Sequence, residues 1–370
     1  MSSRIERFRE ILDQAGLDGA VVRLPENVYY LTQVEFLSFR PCFAIVSPDR
    51  TILVAPSFGL EPPEGIELAG YDMPGATIDR VVDPEKTAAT ALLAGVADAG
   101  LSDKRLGIED SVTSFQHLTD LSRHATLVPL RDEIAGLRRQ KDEGELQLIR
   151  NAIGCIEAGF AAVKEAAQVG KSEIEIFLAA SDAIQGTAGT TTDLGDWNNC
   201  FISGPRTYEI VGPPGTRRVE EGDLMILDLN PVVNHYKGDV TRTFSIGEPS
   251  DRQRALHDLL VQGHDQAMAN VGPGTTAHEV DAIFRNILVG AGYGDYLIGH
   301  FGHGIGLQHL ERPYIIPGDD MPLKENMVIA LEPGAYIPGD FGMRFEQNYL
   351  VTSNGLESLV SYPRELVVCG

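Results

Sequence analysis

Basic residues are scarce in this sequence: 30 Lys and Arg stand against 53 Asp and Glu, a formal charge of −23. That balance excludes a nucleic-acid partner, because phosphate neutralisation dominates such affinity and needs a cationic face. An anionic membrane surface is excluded for the same reason. Cysteine is scarce too. The four present, Cys42, Cys155, Cys200 and Cys369, are scattered and form no Cys-x-x-Cys pair. No apolar run approaches the ~20 residues of a membrane span. The opening stretch MSSRIERFREILDQAG lacks the apolar core of a signal peptide. Together these absences lead us to expect a cytoplasmic protein with reduced thiols, most of them buried as small hydrophobes. An acidic surface accounts for the charge, and a cluster of acids held together by bound cations would add to it.

The 370 residues suffice for two domains. From 1 to 133 helices and strands alternate. A helix carries Ile5, Phe8, Ile11 and Leu12, with Ser3 as its cap and Gly16 as its end. A strand follows at Ala20–Val22. Cys42–Val46 and Thr51–Ala55 flank Ser47-Pro48-Asp49-Arg50 as a hairpin. A helix around Thr87–Ala99 and strands at Arg105–Glu109 and Thr126–Leu130 complete an α/β pattern. Asn27, Tyr29, Tyr30 and Arg40 are assigned to packing rather than to a cleft. After Leu137-Arg138-Arg139-Gln140-Lys141 the rhythm changes. A helix from Glu143 to Ala167 places Leu146, Ile149, Ile153, Ile156 and Phe160 on one face. Another opens at the capping box Ser172-x-x-Glu175, and strands follow over 200–245. The order then recurs, with helices opening at Ser250-x-x-Gln253 and Thr276-x-x-Glu279 and strands to the end. Helix, helix, β, repeated once, predicts two similar halves packed face to face with a site between them.

Two strand pairs carry acids where burial forbids them. Leu224-Met225-Ile226-Leu227-Asp228-Leu229 is a buried-strand pattern interrupted by one carboxylate. Its partner reads Gly238-Asp239-Val240-Thr241-Arg242-Thr243-Phe244. A turn centred between Val233 and Asn234 puts Asp228 directly opposite Asp239, with Cβ atoms roughly 5 Å apart. A turn centred on Gly339 likewise puts Glu332 opposite Glu346, with Pro333 and Gly334 as the place for a bulge. Like charges facing each other destabilise a sheet unless a cation lies between them. Two such pairs in matching segments point to metal. Hard divalent cations prefer carboxylate oxygen, and two of them about 3.5–4 Å apart need bridging carboxylates. A nitrogen ligand is offered by Gly299-His300-Phe301-Gly302-His303-Gly304-Ile305-Gly306, whose glycines let a bulky centre approach. Either histidine qualifies.

These segments resemble the pita-bread metallopeptidase family of prolidase, aminopeptidase P and methionine aminopeptidase. Glu221-Gly222-Asp223-Leu224-Met225-Ile226-Leu227-Asp228 with Asp239–Phe244 is similar to its two-aspartate segment. Gly302-His303-Gly304-Ile305-Gly306-Leu307 resembles its histidine segment. Leu331-Glu332-Pro333-Gly334 and Arg344-Phe345-Glu346 resemble its two glutamate segments. The similarity runs from about 137 to the end, and the region before it resembles the N-terminal domain of the prolidase, aminopeptidase P and creatinase branch. The resemblance implies an α+β chain: a smaller α/β N-terminal domain, 1–133, then a pita-bread catalytic domain, 134–370, of two helix-helix-β halves. It implies five metal ligands, Asp228, Asp239, His303, Glu332 and Glu346, and chooses His303 over His300. Asp228 would chelate one metal, Asp239 and Glu346 would bridge both, and His303 and Glu332 would complete the other. Water held between two cations becomes a nucleophile because their charge lowers its pKa. Glu332 also matches the family's proton shuttle, and Tyr336 and Arg344 match residues near the site in aminopeptidase P. A homodimer is implied as well.

Two departures bear on the substrate. The peptidases usually carry histidine where this chain has Val211 and Leu310. His309 arrives one place before the second, which on an extended segment turns it to the opposite side unless a bulge restores it. With Glu332, Tyr336 and Arg344, it is a candidate catalytic residue. The expected function is a dinuclear-metal peptidase of Xaa-Pro dipeptidase or aminopeptidase type acting on a small substrate. Mn²⁺ is the expected metal, with Co²⁺, Zn²⁺ and Fe²⁺ as alternatives. The missing histidines keep other reactions on this scaffold open: creatinase-like C–N hydrolysis, or a dimethylsulfoniopropionate lyase. Ser203-Gly204-Pro205-Arg206 looks similar to the lyase branch, whereas Asn230 stands where that branch carries an aspartate. Creatinases do not keep the full ligand set. A non-catalytic binding module is the third reading, and against it no ligand is lost.

Overall fold

The computed structural model describes residues 2–35, 40–73, 83–130, 132–190, 192–193 and 200–370. It divides into two compact units, Met1–Arg138 and Arg139–Gly370.

In the first unit the chain runs α1 (Ser2–Gln14), β1 (Gly19–Val22), α2 (Pro25–Thr32), β2 (Phe43–Val46), β3 (Thr51–Pro56) and β4 (Glu67–Tyr71). It continues with α3 (Pro84–Asp98), β5 (Arg105–Ile108), α4 (Phe115–Ser122), β6 (Thr126–Pro129) and α5 (Glu133–Arg139). The strands form one mixed sheet in the order β4-β3-β2-β1-β5-β6. The hairpin forms where the sequence predicts it: Val46 pairs with Thr51, and the Ser47 hydroxyl accepts from Arg50 N at 3.0 Å to close the turn. Asp83 caps α3 by accepting from Glu85 N at 3.0 Å, with Pro84 at the first helical position. Val21, Phe43, Ile45, Val54, Leu92 and Leu106 are buried between sheet and helices. Asn27 serves packing here. Its amide donates to the buried Glu109 carboxylate, and its oxygen accepts from Arg138 at 2.6 Å.

The second unit opens with α6 (Glu143–Ala166) and α7 (Glu173–Ala188), followed by β7 (Cys200–Ser203), β8 (Leu224–Leu229), β9 (Val232–Val233), β10 (Tyr236–Lys237) and β11 (Val240–Ile246). The order then repeats. Helices α8 (Asp251–Asn270) and α9 (Ala277–Gly290) lead into β12 (Gly302–Gly304), β13 (Glu311–Tyr314), β14 (Val328–Leu331) and β15 (Gly334–Tyr336). Strands β16 (Gly342–Arg344), β17 (Gln347–Thr352), β18 (Gly355–Ser358) and β19 (Val367–Cys369) end the chain. All four helices begin with a reciprocal capping box, closed by Asp142 with Glu145, Ser172 with Glu175, Ser250 with Gln253 and Thr276 with Glu279. The first half carries a sheet ordered β19-β11-β8-β7, and the second one ordered β13-β12-β14-β17-β18. Helix α6 is long and apolar enough to cross a membrane by composition, but half of that stretch is buried inside the unit. Leu146, Ile149, Ile153, Ile156 and Phe160 all face inward. The four cysteines are free thiols and buried.

The two acid-bearing hairpins differ from each other in one respect. In the first, Asp228 faces Thr241 rather than Asp239, and Leu229 faces Val240. The turn is the cause. Val233 pairs with Tyr236, so the turn residues are Asn234 and His235, both with positive φ (48° and 71°). Two such residues are what a tight two-residue hairpin loop demands. This moves the pairing by two positions. An even shift keeps both aspartates on one face of the sheet. In the second hairpin the predicted register holds on both sides of the acids, Leu331 with Gln347 and Gly334 with Arg344. Glu332 and Glu346 sit in the interruption between these ladders. Their backbone amides bond outward instead, Glu332 N to Phe301 O at 2.9 Å and Glu346 N to Thr241 O at 3.2 Å.

Candidate metal centre

Five side chains of the second unit converge on one buried point. Strand β8 brings Asp228, the residue before β11 brings Asp239, and β12 brings His303. The interruption in the second hairpin brings Glu332 and Glu346. Ligand atoms of Asp228, Asp239 and Glu346 lie within 4.8 Å of one another, as do those of His303, Glu332 and Glu346. A third such group is Asp239, His303 and His309.

Protein groups satisfy these carboxylates only in part. Arg344 donates to Asp228 Oδ2 at 2.7 Å, and the Thr241 hydroxyl donates to Glu346 Oε2 at 2.7 Å. Three further oxygens, Asp228 Oδ1, Asp239 Oδ1 and Glu346 Oε1, are buried without a hydrogen-bond partner among the described residues. Buried acceptors are rarely left so. His303 Nδ1 donates to Gly304 O at 2.9 Å. That turns Nε2 to the carboxylates, 3.3 Å from Asp239 Oδ2 and 3.4 Å from Glu332 Oε1. Burial works against a proton there, but hydrogen bonds to Asp239 and Glu332 hold one in the metal-free protein, and a cation would take its place. A donor set of carboxylate oxygens with one imidazole nitrogen fits hard or borderline divalent cations.

Electrostatics point the same way. Burial pushes the Glu346 carboxyl well above its ordinary range, and the neighbouring Asp239, Glu332 and Asp228 push it further. Burial also raises Asp228 well above its range, against the Arg344 guanidinium and with Asp239 and Glu332. For Glu332 burial acts upward, but hydrogen bonds from His300 and His303 prevail and hold it below the usual range. Like-charged carboxylates this close resist shared ionisation until a cation separates them.

Around this point the predicted neighbours gather. Arg344 NH1 donates to the Tyr336 hydroxyl at 3.1 Å and to Ile210 O at 3.3 Å, so its guanidinium is held while it grips Asp228. Burial pushes the Tyr336 phenol up to about 12, so it stays neutral. His309 reaches the site: its Nδ1 lies 3.6 Å from Asp239 Oδ2, and its ring centroid is 5.2 Å from that of His303. A register shift in the β12–β13 pairing accompanies this, with His303 opposite Tyr314 but Gly304 opposite Glu311. Val211 and Leu310 are exposed apolar residues.

Three further contributors stand beside these residues; Thr241 and Lys141 escape a reading of the sequence, and His300 figures there only as the alternative ligand to His303. His300 lies with Nε2 3.3 Å from Glu332 Oε1, and its place in the same glycine-rich segment was the available signal. Thr241 links Glu346 to Arg344, whose Nε donates to its hydroxyl at 3.0 Å. Lys141 forms a buried ion pair with Glu311 at 3.0 Å. Glu311 in turn accepts from Gln308 N at 3.2 Å, at the start of the turn that carries His309.

Comparison with known proteins agrees with this geometry. Residues 147–353 match the model of metallopeptidase family M24, and residues 4–140 match the creatinase/prolidase N-terminal domain. The Xaa-Pro dipeptidase of Pyrococcus furiosus is 31% identical over 370 residues, covering 99% of this chain and 100% of that protein. The structure of an Xaa-Pro dipeptidase from Bacillus anthracis superposes with a TM-score of 0.87 at 25% identity, covering 99% of both chains. The prolidase of Pyrococcus horikoshii gives 0.84 at 26% identity, covering 99% of this chain and 100% of that one. The chain belongs to metallopeptidase family M24.

Proposed function

We propose that this metallopeptidase hydrolyses Xaa-Pro dipeptides, with Asp228, Asp239, His303, Glu332 and Glu346 holding two divalent metal ions. The observation that carries this is the convergence of buried carboxylate oxygens that lack a protein partner on one imidazole nitrogen. Relatives named as Xaa-Pro dipeptidases over the full chain support the substrate. When bound, the two cations would lower the pKa of a water and stabilise negative charge on the substrate carbonyl oxygen. Asp239 and Glu346 would bridge them, Asp228 would bind one, and His303 and Glu332 the other.

The remaining work falls to protein groups. Glu332 takes up at its carboxylate the proton that water loses as its oxygen adds to the carbonyl carbon, and returns it to the proline nitrogen as the C–N bond breaks. The His300 imidazole, with Nε2 3.3 Å from Glu332 Oε1, favours the ionised form that accepts the proton. Arg344 fixes Asp228 in place, and Tyr336 steadies the Arg344 guanidinium from its other edge. His309 Nδ1, buried and without a hydrogen-bond partner among the described residues, is the group placed to hold the substrate carbonyl in lieu of the histidines absent at Val211 and Leu310.

In this reading the metals are Mn²⁺, favoured by oxygen-rich ligation. The protein works as a cytoplasmic homodimer, and its domains are 1–133 and 134–370. The decisive experiment is hydrolysis of an Xaa-Pro dipeptide panel, with longer Xaa-Pro peptides alongside, by protein stripped of metal and reloaded with Mn²⁺. Dipeptide turnover that appears only with metal is the expected result. A protein that demonstrably holds two metals yet cleaves none of the panel would move the substrate away from Xaa-Pro peptides.

A further inference from the structure

A cavity of about 500 Å³ opens between α8 and the segment that leads into β19. That volume is typical of small-molecule sites, which span roughly 300–1,000 Å³. Helix α8 contributes Arg254, His257, Asp258 and Val261, and the C-terminal segment contributes Arg364, Glu365 and Leu366.

His257 singles this cavity out. Its side chain is only 6% exposed, and Asp258 Oδ1, at 4.0 Å from Nδ1, is too far for a hydrogen bond. Burial pushes its pKa down to about 4, so at neutral pH it offers one N–H donor and one bare acceptor. No described residue hydrogen-bonds to either. An imidazole whose body is buried and whose nitrogens, unused by the protein, open to the cavity is available to bond a polar ligand there.

The charges around it narrow the ligand. Two arginines face two carboxylates, and neither arginine is wholly free: Arg254 pairs with Glu248 and Arg364 with Asp265 at 2.8 Å. A bare anion finds little surplus positive charge here, and the chain's net charge of −23 opposes it further. A molecule with both signs of charge meets both. Val261 and Leu366 add an aliphatic wall.

We propose that this cavity binds a small aliphatic α-amino acid as the zwitterion. Its carboxylate would meet Arg364 and Arg254, its ammonium Asp258 and Glu365, and its side chain Val261 and Leu366, with His257 beneath. Free amino acids are also the class of product that peptide hydrolysis releases, so the site is suited to feedback. The feedback rests on the peptidase reading; the binding does not. A contiguous path links the two sites. The His257 ring meets Phe345 edge-on at 5.8 Å, and Phe345 lies between Arg344 and Glu346 in the chain. Arg242 stacks over the same ring at 4.4 Å, donates to Glu346 O at 2.6 Å, and donates to Pro363 O at 3.1 Å beside the cavity wall. A ligand that shifts this packing is felt at Glu346, and metal binding is felt in the cavity to the same degree.

Calorimetric titration of the metal-free full chain with leucine, and separately with inorganic phosphate, tests the binding. One leucine per chain is expected, weakened about tenfold or more, the equivalent of roughly 1.4 kcal/mol, in Arg364→Met and in Asp258→Asn. Asp258 is exposed, so its variant keeps the test valid should Arg364→Met fold poorly. Glu332→Gln should bind leucine as the unaltered protein does. Leucine binding indifferent to both cavity variants, no leucine binding, or phosphate binding as tight as leucine and indifferent to Asp258→Asn would each overturn the proposal. So would a self-association broken by Leu366→Glu that alone closes the cavity. In the peptidase assay leucine should lower kcat, and Asp258→Asn should remove that effect. Purely competitive inhibition that survives Asp258→Asn would overturn the feedback while leaving the binding result to stand on its own.

Discussion

Glu346 is a fully buried carboxylate that protein groups satisfy only in part. One oxygen is held by Thr241 and the other has no partner among the described residues, with Asp239, Glu332 and Asp228 all raising its pKa. A carboxylate crowded in this way is costly unless a cation lies beside it. Glu346→Gln, which keeps the shape and the Thr241 contact, should therefore lose metal and activity yet stabilise the metal-free protein, because a neutral amide escapes the burial cost and the repulsion that raise the Glu346 carboxyl. Elemental analysis and thermal melts in chelator check both halves. Retention of two metals would remove Glu346 from the proposed ligand set. His309 is a different case, because it contacts Asp239 without completing the oxygen set. His309→Ala should keep both metals and lose on the order of 10- to 100-fold in rate, the usual effect of a supporting group. A loss as large as that of Asp239→Ala would make it a ligand. The carboxylates of the centre were legible because an acid inside an apolar strand is costly unless a cation meets it. The reach of His309 was not, since it depends on a register shift between β12 and β13 that no residue type announces.

Most elements were legible in kind and order, although α2, β4, α4 and α5 were not, and register was less so. The four capping boxes mark helix starts because a hydroxyl or carboxylate three residues before an acid or amide satisfies backbone donors locally. Register instead depends on which residues accept positive φ. Asn234 and His235 do so in the first hairpin, which slid the pairing by two without changing which face the aspartates share. The turn between β12 and β13 depends on a contact still more distant in sequence. Lys141, just before α6, is buried against Glu311 at the start of β13. Removing one partner leaves the other charge buried. Lys141→Met should cost roughly 3–5 kcal/mol in chemical denaturation. Adding Glu311→Leu should restore part of that loss, because a buried pair replaced by apolar residues is often neutral. If the double variant is no more stable than the single one, the pair is not an isolated charge couple but part of a wider network.

At the scale of the whole molecule, the excess of acidic residues does not by itself set the response to acid; buried histidines contribute to it. His264 sits in the core of the second half, where Tyr349 OH donates to Nδ1 at 2.9 Å and Nε2–H donates to Phe345 O at 3.1 Å. Burial pushes its pKa down to about 3, and that of His257 to about 4. Both values lie below the ordinary 6.5, so between the two limits the unfolded chain binds protons that the folded chain refuses. Stability must then fall as pH falls through that window. Asp228 and Glu346, raised in the metal-free protein, act with the opposite sign, because there the folded state holds the extra proton. A single acid titration therefore mixes the two effects, and a variant separates them. His257 is the better choice, since it loses no hydrogen bond on replacement. His257→Leu should match the unaltered protein near pH 8 and exceed it by about 3 kcal/mol near pH 4, reflecting a depression of some 2.5 pKa units. Denaturation midpoints across that range read the difference directly. Parallel curves would mean that His257 takes up its proton in the folded state, with Asp258 turning to meet it.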